Sequence, residues 1–231
     1  MGPASGTTTQ PAHPVQVAVL AKAPVPGLAK TRLIPALGPQ GAARLQRQLT
    51  RATVRTALDA QLGAVSLWCA PHAQHRFFRA LQRATGVRCL AQPDGDLGFR
   101  MHTAFRLHCA SGPLLLTGTD CPPLTADHLR RAAQALLDGD DAVFVPAEDG
   151  GYVLVGLRQP RPELFEGIAW STDAVMAQTR ERACTAGLRL RELETLWDLD
   201  VPADLARWRA MPGAVHAGGF MGSSALSRHR A

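Results

Sequence analysis

The chain has 231 residues, 46% of them hydrophobic and 5% aromatic, with a formal net charge of +6 and a pI of about 9.6. That length suits one large α/β domain, and no apolar run approaches the roughly 18 residues that a membrane span needs. With a single Tyr and no basic-aromatic repeat, the chain lacks a platform for stacking on single strands, so its charge reads as favouring phosphorylated small molecules over nucleic acid, and no membrane partner is expected.

Residues 1–14 are rich in Thr, Pro and Gly, lack the apolar core of a signal peptide, and are expected to form a disordered tail. Val15 to Ala21 reads as a first buried strand, and Gly38 to Asp59 as a helix with Leu45, Leu49, Ala52 and Thr56 on one face. A second strand is expected at Ala64 to Cys69, a helix at His72 to Thr85 offering Phe77, Phe78 and Leu81 to the core, and a short strand at Val87 to Ala91. A helix follows from Leu97 to Ala110, with Asp96 as its N-cap, and then the doubly buried strand Pro113 to Thr117. Thr125 caps the next helix, which turns Leu129, Ala132, Ala133 and Leu136 inward. Strands are expected at Ala142 to Val145, Tyr152 to Gly156 and Leu188 to Leu193. Helices are expected at Thr172 to Ala186, capped by Ser171 or Thr172, and from Pro202 onward. Residues 211–231 are Gly/Ser-rich and expected to be flexible, leaving one domain at 15–210.

This alternation predicts a mostly parallel sheet with helices on both faces, whose ligand site lies beyond the carboxyl ends of the strands. The polar motifs fall at those ends. The loop after the first strand carries Lys22, Lys30 and Arg32 among prolines and Gly27, an arrangement suited to phosphate. It is not a P-loop, because Ala29 precedes Lys30, and no dinucleotide fingerprint follows the strand. After the Leu-rich strand, Asp120 stands on a loop stiffened by Pro122 and Pro123, where a desolvated carboxylate becomes favourable if it holds Mg²⁺ or a similar cation.

Glu148, Asp149, Gly150 and Gly151 read as a hairpin tip, as an acidic, closely approachable edge of the site, or as both, a hairpin whose tip faces the site. Asp198 and Asp200 share one side of an extended segment and could complete a metal site, while Asp204 faces helix amides. Arg100 is a further candidate for contact to ligand, and Trp170 is expected either to stack on a sugar or to fill the core. The five cysteines, at positions 69, 89, 109, 121 and 184, form no C-x-x-C pair, which argues against zinc and fits a reducing cytoplasm. No G-x-S-x-G elbow occurs, so a serine hydrolase is not supported.

Taken in order, A-K-x-P-x-P-G-x-x-K-T-R-L, D-L-G-x-R-M, G-T-D-C-P, E-D-G-G-Y, W-S-T and D-x-D-x-P-x-D-L resemble the DUF2064 family over about Val15 to Trp208. The Lys-Thr-Arg-Leu loop and the Asp-x-Asp segment are also similar to phospholactate guanylyltransferases and molybdopterin nucleotidyltransferases. The resemblance implies the GT-A, or nucleotide-diphospho-sugar transferase, fold and a glycosyltransferase-like activity dependent on Mg²⁺ or Mn²⁺. It implies that Lys22, Lys30 and Arg32, with Gly98 and Arg100, contact the nucleotide, and that Asp120 is the metal carboxylate, assisted by Asp198 or Asp200. Asp149, Gly150, Gly151 and Trp170 would then line the sugar or acceptor pocket, with Asp120, Asp149 and Lys30 as the catalytic groups. Val145 stands where the family commonly has Gly, and Val201 and Ala203 where Thr and Glu are usual. The expected partners are a nucleotide-sugar, or alternatively an NTP, and a small-molecule acceptor; a homodimer is left open.

Overall fold

The computed structural model describes residues 15–211; the tails expected at 1–14 and from residue 212 onward lie outside the described residues. In chain order the principal elements are β1 (Gln16–Lys22), α1 (Ile34–Asp59), β2 (Val65–Ala70), α2 (Arg76–Thr85), β3 (Arg88–Ala91), α3 (Leu97–His108), β4 (Leu114–Thr117), α4 (Ala126–Leu137), β5 (Ala142–Pro146), β6 (Tyr152–Leu157), α5 (Val175–Thr185), β7 (Leu190–Glu192) and α6 (Asp204–Arg209). The strands form one seven-stranded sheet in the order β3-β2-β1-β4-β6-β5-β7. Only β6 runs against its neighbours, pairing antiparallel with β4 and β5, while the other pairs are parallel.

Strand alternation sorts the core into two layers. Val17, Val19 and Ala21 of β1 face one side with Val54 and Ala57 of α1, Phe77, Phe78 and Leu81 of α2, and Leu129, Ala132, Ala133 and Leu136 of α4. Ala18 faces the other side with Met101, Ala104 and Phe105 of α3 and Met176 and Ala183 of α5. Leu114, Leu115 and Leu116 feed both layers and are almost wholly buried, each burial contributing about 1.5–3 kcal/mol. A third cluster joins Leu33, just before α1, and Leu45 and Leu49, in its middle, to Trp197, Leu199, Leu205 and Trp208 from the end of the described chain. This cluster docks the C-terminal acidic segment beside the first loop.

Several boundaries differ from the sequence reading for local reasons. The α1 stripe continues from Leu49 through Thr53, Val54 and Ala57, leaving Ala52 exposed and Thr56 half-buried, because a spacing of four keeps this helix against the sheet. The first helix assigned begins at Ile34 but breaks at Gly38, ahead of Pro39. α2 starts at Arg76 rather than His72, with the His75 ring accepting from the Phe77 amide. The cap expected at Ser171 or Thr172 is absent: α5 begins at Val175, behind Ala174. Thr172 instead closes a turn, its hydroxyl donating to the Ala169 carbonyl (2.7 Å) and accepting from the Ala174 amide (3.3 Å). Caps at Asp96 and Thr125 form as expected, accepting from the Phe99 and His128 amides respectively.

Candidate active site

The chain leaves β1 through Ala23 and turns at Val25, whose carbonyl accepts from the amides of Leu28 and Ala29 at 3.0 Å each. Lys30 then takes a left-handed backbone conformation (φ 48°, ψ 48°), which for a non-glycine residue costs about 1–2 kcal/mol. Three contacts hold it there: its Nζ lies 2.9 Å from Asp120 Oδ1 and 2.8 Å from Asp200 Oδ1, and donates to the Leu199 carbonyl at 2.6 Å. The Lys30 side chain is only 4% exposed, whereas its two carboxylate partners are 45% and 42% exposed. Burial by itself pulls the ammonium pKa down, but Asp120 and Asp200 together outweigh it and hold Lys30 above the ordinary lysine value.

Asp120 sits where the loop leaves β4. Its carbonyl accepts from the Leu199 amide at 2.7 Å, a backbone bond that pins the two acidic segments together. Behind it the Thr119 hydroxyl donates to Asp120 Oδ1 (3.3 Å) and accepts from buried Gln46 Nε2 (3.0 Å). Asp204, expected to face helix amides, instead reaches back to the loop before α6, accepting from the Asp200 and Val201 amides at 2.8 Å each. Asp198 is the most perturbed carboxyl of the group. Burial first, and then repulsion from Asp120, Asp149 and Asp200, push its pKa up to about 7 against the opposing pull of Lys30.

Two adjoining clefts open on this cluster. The first, about 460 Å³, is lined by Lys22, Lys30, Arg32 and Arg100 on the cationic side and by Asp120, Asp198 and Asp200 on the acidic side. The second, about 440 Å³, is lined by Asp149, Gly151, Trp170, Ser171, Thr172 and Asp173. Arg32, Leu97, Tyr152, Asp198 and Asp200 belong to both, so the acidic pair stands at the junction. Arg32 reaches to 3.9 Å from Asp200 Oδ2 while staying 71% exposed, leaving its guanidinium available to a ligand.

Gly98 and Gly150 act through packing. A Cβ on Gly98 would fall 2.8 Å from the Trp170 ring and 2.7 Å from the Phe165 carbonyl, so this glycine seats Trp170. Gly150, at φ 88°, lies against the Asp173 backbone, where a side chain would collide with the Asp173 carbonyl. Asp149 is exposed, its Oδ1 accepting from the Gly151 amide at 2.9 Å. Glu148 turns away and forms a two-pronged ion pair with Arg207 (2.7 and 2.9 Å), whose guanidinium also covers the Trp197 ring at 4.6 Å. Sequence reasoning missed Gln46, Thr119, Gln92 and Tyr152 as lining residues of the first cleft. Thr119 and Tyr152 had a signal, their adjacency to Asp120 and Gly151.

The three carboxylates expected to bind metal do not form a ready-made ligand set: among the described residues no three His, Cys, Asp or Glu side chains are grouped to hold an ion. The reason is Lys30, whose ammonium fills the space between Asp120 and Asp200. The donors nonetheless fit a hard divalent cation, which typically takes one or two carboxylates and completes its shell with water and substrate phosphate. Behind burial, repulsion from Asp120, Asp149 and Asp200 contributes to the raised Asp198 pKa, and such an ion would relieve that part.

The family model described as "Uncharacterized protein conserved in bacteria (DUF2064)" matches residues 53–172. The chain belongs to the DUF2064 family. The match spans Asp120, the Asp149 loop and Trp170; the Lys30 loop and the Asp198–Asp200 segment lie outside it. Beyond the DUF2064 match, the chain is similar to a crystal structure from Desulfovibrio desulfuricans G20, named as a candidate nucleotide-diphospho-sugar transferase. The two are 27% identical, with a TM-score of 0.74 over 82% of this chain and 83% of that one.

More distant structures share the fold. The 4-diphosphocytidyl-2C-methyl-D-erythritol synthase of Anaerococcus prevotii DSM 20548 is 10% identical with a TM-score of 0.56, covering 84% of this chain and 94% of that one. The glucosyl-3-phosphoglycerate synthase of Mycobacterium tuberculosis, in complex with Mn²⁺, UDP and glucosyl-3-phosphoglycerate, is 10% identical with a TM-score of 0.52, covering 84% and 75%. This DUF2064 member therefore has the nucleotide-diphospho-sugar transferase fold expected from its motifs. No curated protein matches the chain. Among the described residues no helix is long and apolar enough to cross a membrane.

Proposed function

We propose that the protein is a metal-dependent transferase that takes a nucleotide-sugar as donor and moves its glycosyl group to a small-molecule acceptor. The observation that carries this reading is the meeting of two clefts at Asp198 and Asp200, one rich in cations and the other walled by Trp170 and Asp149. A diphosphate fits the first, and a sugar with its acceptor fits the second. The likeness to the Desulfovibrio protein supports the same donor class.

In this reading Arg32, Lys22 and Arg100 bind the donor phosphates, Arg32 in two-pronged fashion. Lys30 neutralises Asp120 and Asp200 and offers its ammonium to phosphate oxygens when the donor enters. Asp120, with Asp198 or Asp200, would hold Mg²⁺ or Mn²⁺, and such an ion would supply charge stabilisation to the nucleoside diphosphate leaving group. Asp149, exposed at the acceptor side, takes the proton from the attacking hydroxyl, and Trp170 stacks against the sugar. Asp120→Asn is expected to abolish turnover while only weakening nucleotide binding; unchanged turnover removes Asp120 from the mechanism.

One observation favours a second reading, nucleotidyl transfer from an NTP to a small phosphorylated acceptor. Three cations, Lys22, Lys30 and Arg32, all issue from the β1 loop, a density suited to a triphosphate. Product analysis separates the two. Release of a nucleoside diphosphate supports glycosyl transfer, and release of pyrophosphate overturns it. A thermal-shift screen of nucleotides and nucleotide-sugars, with and without Mg²⁺ or Mn²⁺, ranks the donors by mass action.

A further inference from the structure

The positive charge of the chain is not where the clefts are. Between Ile34 and Pro93 the sequence holds eight arginines and one acidic residue, Asp59, whereas the remainder holds 17 Lys and Arg against 18 Asp and Glu. The whole basic excess thus belongs to the segment that builds α1 and α2. This revises the reading of the net charge as serving small phosphorylated ligands, because none of these eight arginines lines either cleft.

The arginines are not scattered around their helices. Arg44, Arg47, Arg51 and Arg55 follow one another at helical spacing, within about 80° of arc and over about 16 Å of α1. Arg76, Arg79 and Arg83 repeat the pattern on α2. All seven are exposed, while the opposite faces of both helices are buried in the same core layer against β1 and β2. The two rows meet across the interhelical seam: Arg47 of α1 lies 5.8 Å from the centroid of the Phe77 ring of α2. Arg47 and Arg76 both act on His75 between them, adding to the effect of its burial. The acidic residue of this segment, Asp59, sits at the end of α1, 3.5 Å from Arg55.

From this placement the structure assigns the α1–α2 face as a docking surface for an anionic phospholipid membrane. Two helices laid side by side on a sheet form a plate, and a planar anionic surface can engage both arginine rows together, whereas a nucleic-acid duplex is a cylinder and meets fewer at once. The face carries no exposed aromatic side chain to stack on a single strand and, apart from Leu58, no exposed large apolar group to insert. Contact is therefore electrostatic and reversible, made by guanidinium groups to lipid phosphates. None of these arginines lines either cleft, so docking through them uses a surface separate from the site. The assignment is independent of the donor class.

The test is co-sedimentation of the full chain with phosphatidylcholine vesicles containing a rising fraction of phosphatidylglycerol. The expected result is binding that requires the anionic lipid and weakens as salt shortens the Debye length below about 10 Å. The triple variant Arg47→Glu, Arg51→Glu, Arg79→Glu should lose at least about tenfold in partitioning, since each basic group near such a surface contributes on the order of 1 kcal/mol. The corresponding triple Lys variant should retain binding, and Arg106→Glu, exposed on α3 across the sheet, should not affect it. Circular dichroism and Tm confirm that the reversed variant is folded. Equal binding to neutral and anionic vesicles, or retention by a folded Glu variant, overturns the assignment. So does tighter binding to duplex DNA than to the anionic vesicles at the same salt, which would give the face to nucleic acid instead.

Discussion

Asp198 gives the sharpest test of the site's electrostatics. Its carboxyl is pushed from 3.8 up to about 7 by burial and by three neighbouring aspartates. Below pH 3.8 the group is neutral in both the folded and the unfolded chain. As pH rises from there to about 7 the unfolded chain ionises while the folded one keeps its proton, so stability from this group is lost across that window and stays lost above it. At 1.36 kcal/mol per unit the full effect approaches roughly 4 kcal/mol. Asp198→Asn keeps the shape without the charge. In chelator-treated protein at pH 8 the variant should therefore be more stable than the parent by about 2–4 kcal/mol, and at pH 4 the two should nearly coincide. The assay is urea unfolding at both pH values, read at constant m. Adding Mg²⁺ or Mn²⁺ at pH 8 should then stabilise the parent more than the variant, because the ion needs the carboxylate. Equal stability of the two proteins at pH 8 without metal would refute the account of Asp198 as a carboxyl held neutral by its surroundings.

Lys30→Met retains most of the buried stem but leaves Asp120 and Asp200 facing each other without their shared cation. Removing one partner of a buried pair costs about 3–5 kcal/mol; with both carboxylates nearly half exposed, a loss of about 1–3 kcal/mol is expected by urea unfolding. Unchanged stability would mean that the Lys30 contacts contribute nothing net. Thr119→Val strips the Gln46 amide of one of its two partners and should cost about 1–2 kcal/mol by the same measurement, with a full wild-type midpoint counting against the buried relay. Gly98→Ala forces a methyl against the Trp170 ring and the Phe165 carbonyl. It should destabilise by about 1–3 kcal/mol and shift the Trp fluorescence, and an unaltered spectrum would show that Gly98 does not seat Trp170.

The sequence on its own determined the elements and their class. The run of Val and Ala before Lys22, the Leu triplet before Thr117 and the cap at Thr125 are local signals, set by neighbours a few residues away, and they specify a mostly parallel sheet with helices on both faces. The first loop, Asp120, the Asp149 turn and the Asp198–Asp200 segment were legible as candidates because charges at strand ends are conspicuous. What no local signal could contain is their partnership. Lys30 meets Asp200 across 170 residues because Leu33, Leu45 and Leu49 bury themselves against Trp197, Leu199, Leu205 and Trp208, and that packing is a property of the folded chain. The same packing turned Glu148 from a site carboxylate into the partner of Arg207 and brought Gln46 behind Thr119. It also put Lys30 where three carboxylates alone would have suggested a ready-made metal site. Periodicity decides which face of an element is buried; only the tertiary structure decides what that face is buried against, and therefore which distant charges share one cleft.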